Sequence, residues 1–204
     1  MSRDIRDADF KIVAALDKLS QVQRILLWDA AKNENLSPIQ IQFIQFIQQY
    51  PAALRRVTVL AREFDLTKAT VSDAVSALEA KGLVAKSRDD EDHRTVTLSL
   101  TSAGKRIAAR LTGWQDALYR HIAELDAPRK EELSRMLMGL IKALFEDGVI
   151  RVARMCLACG NFRIDAYAAS AKPHLCGLTG NAISDEEFSY GCAHYSVPDR
   201  AGEA

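Results

Sequence analysis

The sequence lacks the features that mark a membrane or exported protein. It has no run of about eighteen apolar residues, the minimum that suggests a membrane-spanning helix. The first four residues, Met1 to Asp4, carry mixed charge, and no apolar segment of the kind found in a secretory signal follows them. We therefore expect a cytoplasmic protein without a membrane partner.

Sequence signals of catalysis are also missing. The chain contains no G-x-S-x-G elbow, no phosphate-binding P-loop and no pair of histidines at metal-ligand spacing on a helix. Its four histidines are scattered along the sequence. These absences argue against an enzyme.

An excess of positive charge is the third missing feature. The 27 Lys and Arg residues equal the 27 Asp and Glu residues, and residues 55–94 likewise contain eight of each sign. A protein that binds nucleic acid nonspecifically normally shows a basic excess. Any DNA binding must then depend on a few well-placed cations and should be strongly salt-sensitive; the candidates are Arg55, Arg56, Lys68, Lys86, Arg88 and Arg94.

Residues 58–104 carry most of the functional information. A short helix over 58–64 and a turn at Asp65-Leu66 precede a second helix over 67–81, which Thr67 caps and Gly82 ends. Val71, Ala74, Val75 and Leu78 recur at i, i+3, i+4 and i+7 and predict one buried stripe. The opposite face is made mainly of small residues, among them Ala69, Thr70, Ser72, Asp73, Ser76, Ala77 and Ala80.

Small residues on an exposed helix face suit a partner that must approach closely. Double-stranded DNA is such a partner, because a recognition helix enters a major groove only about 12 Å wide. An ordinary surface helix made of good helix formers is the alternative interpretation.

A β-ribbon is predicted directly after this helix. Residues 95–100 alternate apolar and hydroxyl side chains as a half-buried strand does, and residues 84–88 are the expected partner strand. The tip between them is acidic, but Asp92 lies two residues before Arg94. Asp92 is therefore placed to orient the guanidinium of Arg94 towards a minor groove.

These segments together resemble the winged helix-turn-helix core of MarR-family transcription regulators. The resemblance rests on residues 66–72, 78–84, 92–94 and 100–104 and follows the order of elements over about residues 10–145. It implies a homodimer that binds a pseudo-palindromic operator, with Arg94 as the minor-groove arginine of the wing and Asp92 as its supporting carboxylate. The chain departs from the family at Asp73 and Glu91, where the family often has basic residues, so its base readout is expected to be unusual or weak.

Long amphipathic helices flank this core. We predict one long helix or two shorter ones over residues 10–33, a helix over 39–50 that begins after Ser37-Pro38, a continuous helix over 101–125, and another that begins at Pro128. Their apolar stripes exceed what one subunit can cover, which favours a homodimer over an intrachain bundle. Three aromatic residues are candidates to line a cavity for a small aromatic effector, although plain core positions are the commoner alternative: Trp28, Trp114 and Tyr119.

All four cysteines lie in the last quarter of the chain. Cys156 and Cys159 form a C-x2-C motif before a glycine, and Cys176 and Cys192 complete a possible set of four thiolate ligands. Four sulfur ligands favour zinc, but an iron-sulfur cluster uses the same ligands, and reversible thiol oxidation is a third possibility. His174 or His194 is an alternative ligand in place of one cysteine.

The sequence thus predicts a mainly α protein with a small β-wing and a metal-stapled tail. The expected domains are an N-terminal dimerisation region (1–36), a winged helix-turn-helix (37–104), C-terminal dimerisation helices (105–150) and a cysteine-rich tail (151–204). The expected function is that of a dimeric, DNA-binding transcription regulator, most simply a repressor. The alternative is a metal- or redox-responsive adaptor that binds DNA weakly or not at all.

Overall fold

The computed structural model describes residues 3–88 and 96–198, and this part of the chain is mainly helical with two small antiparallel sheets. No helix within it is both long and apolar enough to cross a membrane. The helices are α1 (Arg3–Asn33), α2 (Pro38–Gln49), α3 (Val57–Glu63), α4 (Lys68–Ala80), α5 (Ser102–Arg110), α6 (Asp116–Ala123) and α7 (Ala127–Glu146). The strands are β1 (Val84–Arg88), β2 (Val96–Leu100), β3 (Phe162–Arg163), β4 (His174–Cys176) and β5 (Asn181–Ile183).

The chain forms two compact units. The first comprises residues 1–55 and 72–120, and the second comprises residues 56–71 and 121–204, so the division falls within α4.

Helix α2 is the centre of the first unit. Ser37 caps it through a complete capping box with Gln40, and Pro38 occupies its first turn, which confirms the predicted start. Its wide apolar face is buried, with Phe43 and Ile44 fully inaccessible to solvent. The helix packs against α1, α5 and β2. Its sequence begins with an Ile-Gln-Ile-Gln-Phe alternation that also fits a strand, but the segment forms a helix that is packed on several sides.

One of the predicted long helices is continuous and another is interrupted. Helix α1 is a single helix rather than two. The continuous helix expected over residues 101–125 is wrong, because α5 ends at Arg110, a 3-10 turn covers Leu111–Gly113, and α6 begins at Asp116.

Local chemistry explains this interruption. The hydroxyl of Thr112 donates a hydrogen bond to the carbonyl of Ala109 at 2.9 Å, competing with the regular helix ladder, and Gly113 follows with its low helix propensity. The amide of Trp114 then bonds to the carbonyl of Leu111, in the 3-10 pattern.

Gly104 sits at the tightest backbone approach of the first unit. A Cβ added there would lie 2.0 Å from the carbonyl oxygen of Leu83, and that oxygen accepts the amide of Thr101 at 3.1 Å. Space, rather than left-handed geometry, therefore requires glycine here.

Substituting Gly104 with alanine is expected to lower the stability of the first unit by about 1–3 kcal/mol, the usual cost of overpacking. The cost arises because the backbone must move to make room for the methyl group. Urea unfolding followed by circular dichroism measures the change. Ser102→Ala is the matched control, since Ser102 is exposed in the same helical turn and should change stability by less than about 0.5 kcal/mol. Equal stability of the two variants would contradict the close approach.

The second unit combines α3, α6 from His121 onwards, α7 and the tail. Asp126 caps α7 by accepting the amide of Arg129 at 3.0 Å, and Pro128 occupies its first turn, as expected. The core of this unit joins Met138 and Phe145 of α7 to Met155 and Ala158 of the tail. The tail itself folds into a three-stranded antiparallel sheet in the order β3-β4-β5.

Candidate functional site

The turn between α3 and α4 is well defined within the second unit. Asp65 adopts a left-handed conformation with φ of 49°, and the amide of Leu66 bonds to the carbonyl of Ala61 at 2.9 Å. Thr67 caps α4, because its hydroxyl accepts the amide of Thr70 at 3.1 Å. The predicted helix, turn and capped second helix are thus confirmed as local structure.

Helix α4 presents the two contrasting faces that the sequence predicts. Val71, Val75 and Leu78 are fully buried. The predicted small-residue face is exposed along the whole helix, including Thr70, Ser72, Asp73 and Ser76. The candidate cation Lys68, at the start of the helix, is also exposed. Gly82 follows with φ of 67°, which ends the helix as expected.

The β-ribbon after α4 has the predicted pairing. Val84 pairs with Leu100 and Arg88 with Val96 in one antiparallel register. The hydroxyl of Thr101 donates to the carbonyl of Gly82 at 2.6 Å, which joins the end of β2 to the end of α4. The base of a wing is therefore held firmly within the first unit.

Lys86 of the ribbon is engaged within the protein. Its ammonium group lies 2.7 Å from the carboxylate of Glu79 and 3.3 Å from the hydroxyl of Ser76. Glu79 therefore neutralises the charge of Lys86, one of the cations expected to contact DNA. Both side chains remain partly exposed. A surface pair of this kind is weak and can be exchanged for a phosphate contact.

The remaining predicted cations have different surroundings. Arg55 is half-buried, and its Nε donates to the carbonyl of Tyr50 at 2.5 Å. Arg56 precedes α3, and its buried Nε has no hydrogen-bond acceptor within the described residues. Arg88 ends β1, but its side chain, together with Asp92 and Arg94, lies outside the part that the structure describes.

The four cysteines come from three segments of the tail and are all free thiols of intermediate exposure. Cys156 and Cys159 flank a 3-10 turn in which the Cys159 amide bonds to the Cys156 carbonyl at 3.0 Å. Cys176 ends β4, opposite Phe162 of β3. The amide of Cys192 donates to the carbonyl of Arg154 at 3.1 Å.

Two of these thiols have clear electrostatic surroundings. Burial raises the pKa of the Cys156 thiol, the amide of Ser189 acts in the opposite direction, and the other three cysteines raise it further. Hydrogen bonds from the hydroxyl and amide of Thr179 and the amide of Leu178 lower the pKa of Cys176. Within the described residues, no group of three or more His, Cys, Asp or Glu side chains has a geometry ready to hold a metal ion.

His174, the proposed alternative to a cysteine ligand, is committed elsewhere. It is buried; its Nδ1 accepts the amide of Asp165 at 3.1 Å and its Nε2 lies 2.7 Å from the carboxylate of Asp185. Both ring nitrogens therefore have partners, and His174 acts as a structural residue of the tail sheet. His194 is exposed.

The helices α3 and α4 and the β1-β2 ribbon are here called the reading head. Comparison with known proteins agrees with the local structure of these elements. A model of the MarR family matches residues 34–95. The structure of MepR of S. aureus in a DNA complex aligns at a TM-score of 0.58 and 17% identity over 65% of this chain and 97% of MepR. FabT of Streptococcus pneumoniae in complex with DNA aligns at 0.55 and 19% over 66% and 98% of the two chains.

The chain has the MarR winged-helix fold. A third structure with this fold, the transcriptional regulator BldR from Sulfolobus solfataricus, aligns at a TM-score of 0.54 and 22% identity over 72% of this chain and 99% of BldR. A comparison with curated protein sequences gives no match.

The aromatic residues proposed for an effector site are not gathered together in this MarR fold. Trp114 lines a cavity of about 380 Å³ with Leu26 of α1 and with Arg110, whose guanidinium binds Glu34 through two hydrogen bonds. That hydrogen bonding lowers the pKa of Glu34. Trp28 lines a separate, open depression on α1.

One feature next to the helix-turn-helix has no signal in the sequence. The Nε of Arg154 lies 2.5 Å from the carboxylate of Glu63 in α3, and both side chains are largely buried. Arg151 also lies 3.0 Å from Asp65 in the turn, at the surface. No spacing signal could reveal these pairs, because more than eighty residues separate their partners along the chain.

Proposed function

We propose that this protein is a homodimeric, sequence-specific DNA-binding transcription regulator rather than an enzyme, and that it acts as a repressor. Helix α4 enters the major groove, and the wing carries Arg94 into the flanking minor groove. A dimer that covers an operator beside a promoter would exclude the transcription machinery, which is the reason for assigning repression.

The observation that carries the proposal is the exposed small-residue face of α4. Its opposite face is anchored by Val71, Val75 and Leu78, and Thr67 holds its N-terminus, so the exposed face is presented on a rigid support. Hydroxyl groups on this face suit hydrogen bonds to phosphates and base edges. MepR and FabT, which share the fold, have structures in complex with DNA.

Exposed apolar residues support the homodimer. On α1, Phe10, Val13 and Trp28 are more than half exposed. On α7, Leu133, Leu137, Leu140 and Leu144 are exposed at helical spacing. Single exposed apolar residues are ordinary, but contiguous apolar faces mark interaction sites.

A small aromatic effector is a further part of the proposal. The cavity lined by Trp114 has a volume within the usual range of ligand sites and carries a charged pair at its wall. Binding there would act on the spacing of the two reading heads, since both half-sites must be engaged together.

Replacing Arg94 with alanine is expected to weaken binding to the promoter region adjoining the gene by about tenfold or more, the size of a specific arginine contact. A gel-shift titration at fixed salt measures this change. Arg129→Ala is the matched control, because it removes the same charge from a largely exposed position on α7 and should leave affinity nearly unchanged.

Two outcomes of this titration would count against the proposal. Equal loss in both variants would mean that only overall charge matters. No retarded band with the unsubstituted protein would favour the second candidate, a protein-interaction adaptor, which is supported by Asp73 on the exposed face of α4 and by the zero net charge.

A further inference from the structure

The cysteine-rich tail has no role in the proposed DNA contacts, yet its folding brings four thiols into one neighbourhood. The loop that follows Cys159 is bonded to the loop that follows Cys176, because the amide of Gly177 donates to the carbonyl of Asn161 at 2.7 Å. A Cβ on Gly177 would come within 2.9 Å of that same oxygen. Glycine is therefore required for the two cysteine loops to approach each other.

Backbone amides in this neighbourhood point at sulfur. The amide of Ser189 donates to the Sγ of Cys156 at 3.2 Å. Cys176 receives the amides of Leu178 and Thr179, in a turn closed by a bond from the amide of Gly180 to the Cys176 carbonyl at 2.8 Å. Amide donors around a sulfur stabilise a thiolate, the form of cysteine that binds metals.

The segments that carry the four cysteines converge, and none of the thiols forms a disulfide. The Cys159 amide bonds to the Cys156 carbonyl at 3.0 Å, Phe162 of β3 pairs with Cys176, and the Cys192 amide bonds to the carbonyl of Arg154 at 3.1 Å. Within the described residues, the sulfurs themselves do not stand at ligand geometry. Four cysteines from three converging loops fit a closed tetrahedral site better than a pairwise thiol switch, which needs only two of them.

We propose that Cys156, Cys159, Cys176 and Cys192 together bind one zinc ion, and that this ion holds helix α3 in place through Arg154. Binding draws the four sulfurs to about 2.3 Å from the metal and releases the thiol protons to solvent. Zinc is favoured because it accepts tetrahedral sulfur ligands and supplies no redox chemistry to a site that needs none.

Arg154 provides the physical connection between the proposed metal site and helix α3, within the second unit. It lies two residues before Cys156, and its carbonyl accepts the amide of Cys192, so two of the three ligand segments meet at its backbone. Its side chain binds Glu63 in α3, and its φ of 41° is a strained left-handed conformation that surrounding contacts must maintain. Loss of the metal would release the cysteine segments whose contacts maintain this conformation of Arg154.

Metal analysis tests the site directly. The full-length protein is purified without air. After reconstitution with zinc chloride it should carry one zinc per chain, and its four thiols should react with Ellman's reagent only after a chelator is added. Cobalt in place of zinc should give the intense visible absorption of a tetrahedral cobalt-thiolate site. Four reactive thiols without bound metal would overturn the proposal, and so would a brown protein that contains acid-labile sulfide.

Substitutions identify the ligands. Cys176→Ser should abolish stoichiometric zinc binding, whereas His194→Ala, in the same part of the tail, should retain one zinc per chain. Because Cys176→Ser could unfold the tail for other reasons, chelation and cobalt spectra of the unsubstituted protein decide the matter independently. Full zinc binding by Cys176→Ser would overturn the four-cysteine assignment.

Hydrogen exchange tests the connection to α3 without using DNA. Removing zinc from the full-length protein should increase amide exchange in residues 57–63 by at least about tenfold, while the β1-β2 ribbon of the other unit stays protected. Unchanged exchange in α3 would overturn the connection. None of these measurements uses DNA, so failure of the proposed DNA binding and failure of the metal site give different results.

Discussion

The double substitution Leu133→Glu with Leu140→Glu in α7 is expected to convert the proposed homodimer to monomers and to abolish measurable binding to the proposed operator. The two leucines lie on the exposed apolar face of α7, two helical turns apart, with 41% and 43% of their surface accessible in the single chain. Burying a leucine completely stabilises by about 1.5–3 kcal/mol, and a two-fold interface uses each residue twice. Placing charges in such an interface adds a further desolvation cost.

The expected loss of dimer stability is therefore several kcal/mol, which raises the dissociation constant by at least about a hundredfold. Operator affinity should fall with it, because two half-sites must be bound by one linked pair of reading heads. Sedimentation equilibrium measures the association and a gel shift measures the DNA binding.

Ile164→Glu serves as the matched control for this substitution. Ile164 is an equally apolar residue that is 63% exposed, but it lies in the tail and not on α7. It should leave both association and DNA binding unchanged. If the doubly substituted protein remained a dimer, the exposed leucines of α7 could not be the interface.

Breaking the pair between Arg154 and Glu63 is expected to destabilise the second unit by about 3–5 kcal/mol, as is usual when one member of a buried ion pair is removed. The side chains are only 8% and 18% exposed, so Glu63→Gln leaves the guanidinium of Arg154 with one charged partner fewer in a buried environment. Urea unfolding monitored by hydrogen exchange of the tail sheet would measure the loss.

Arg151→Ala is the comparison for this prediction. Arg151 and Asp65 join the same two segments of chain, but their side chains are 69% and 60% exposed, so removing that pair should cost about 0–1 kcal/mol. The double substitution Arg154→Met with Glu63→Leu should recover part of the lost stability, because an apolar pair needs no charge compensation. Equal effects of Glu63→Gln and Arg151→Ala would contradict the importance of burial.

Much of the reading head is predictable from local patterns in the sequence. The cap at Thr67, the stripe of Val71, Val75 and Leu78, and the left-handed Gly82 are properties of neighbouring residues, and the structure confirms each of them. The ribbon follows from alternation within a few residues, and its register agrees with that pattern. Periodicity works here because each element buries one face.

Prediction from periodicity failed where local chemistry competed with it. The apolar stripe over residues 101–125 continues across Leu111 and Trp114, but the backbone does not remain helical there. A stripe reports which residues are buried on average, whereas the hydroxyl of Thr112 and the glycine after it decide where the helix ends. The requirement for glycine at position 104 likewise became visible only from the nearby carbonyl of Leu83.

The sequence by itself determined the helix-turn-helix, its ribbon and the family that it resembles, because these depend on contacts between residues close in the chain. Only the tertiary structure decided that Lys86 is paired with Glu79, that both ring nitrogens of His174 have partners, and that Arg154 joins the cysteine-rich tail to α3. Charged and polar side chains take partners from whatever segment folding brings near them. Such pairings leave no periodic trace in the sequence.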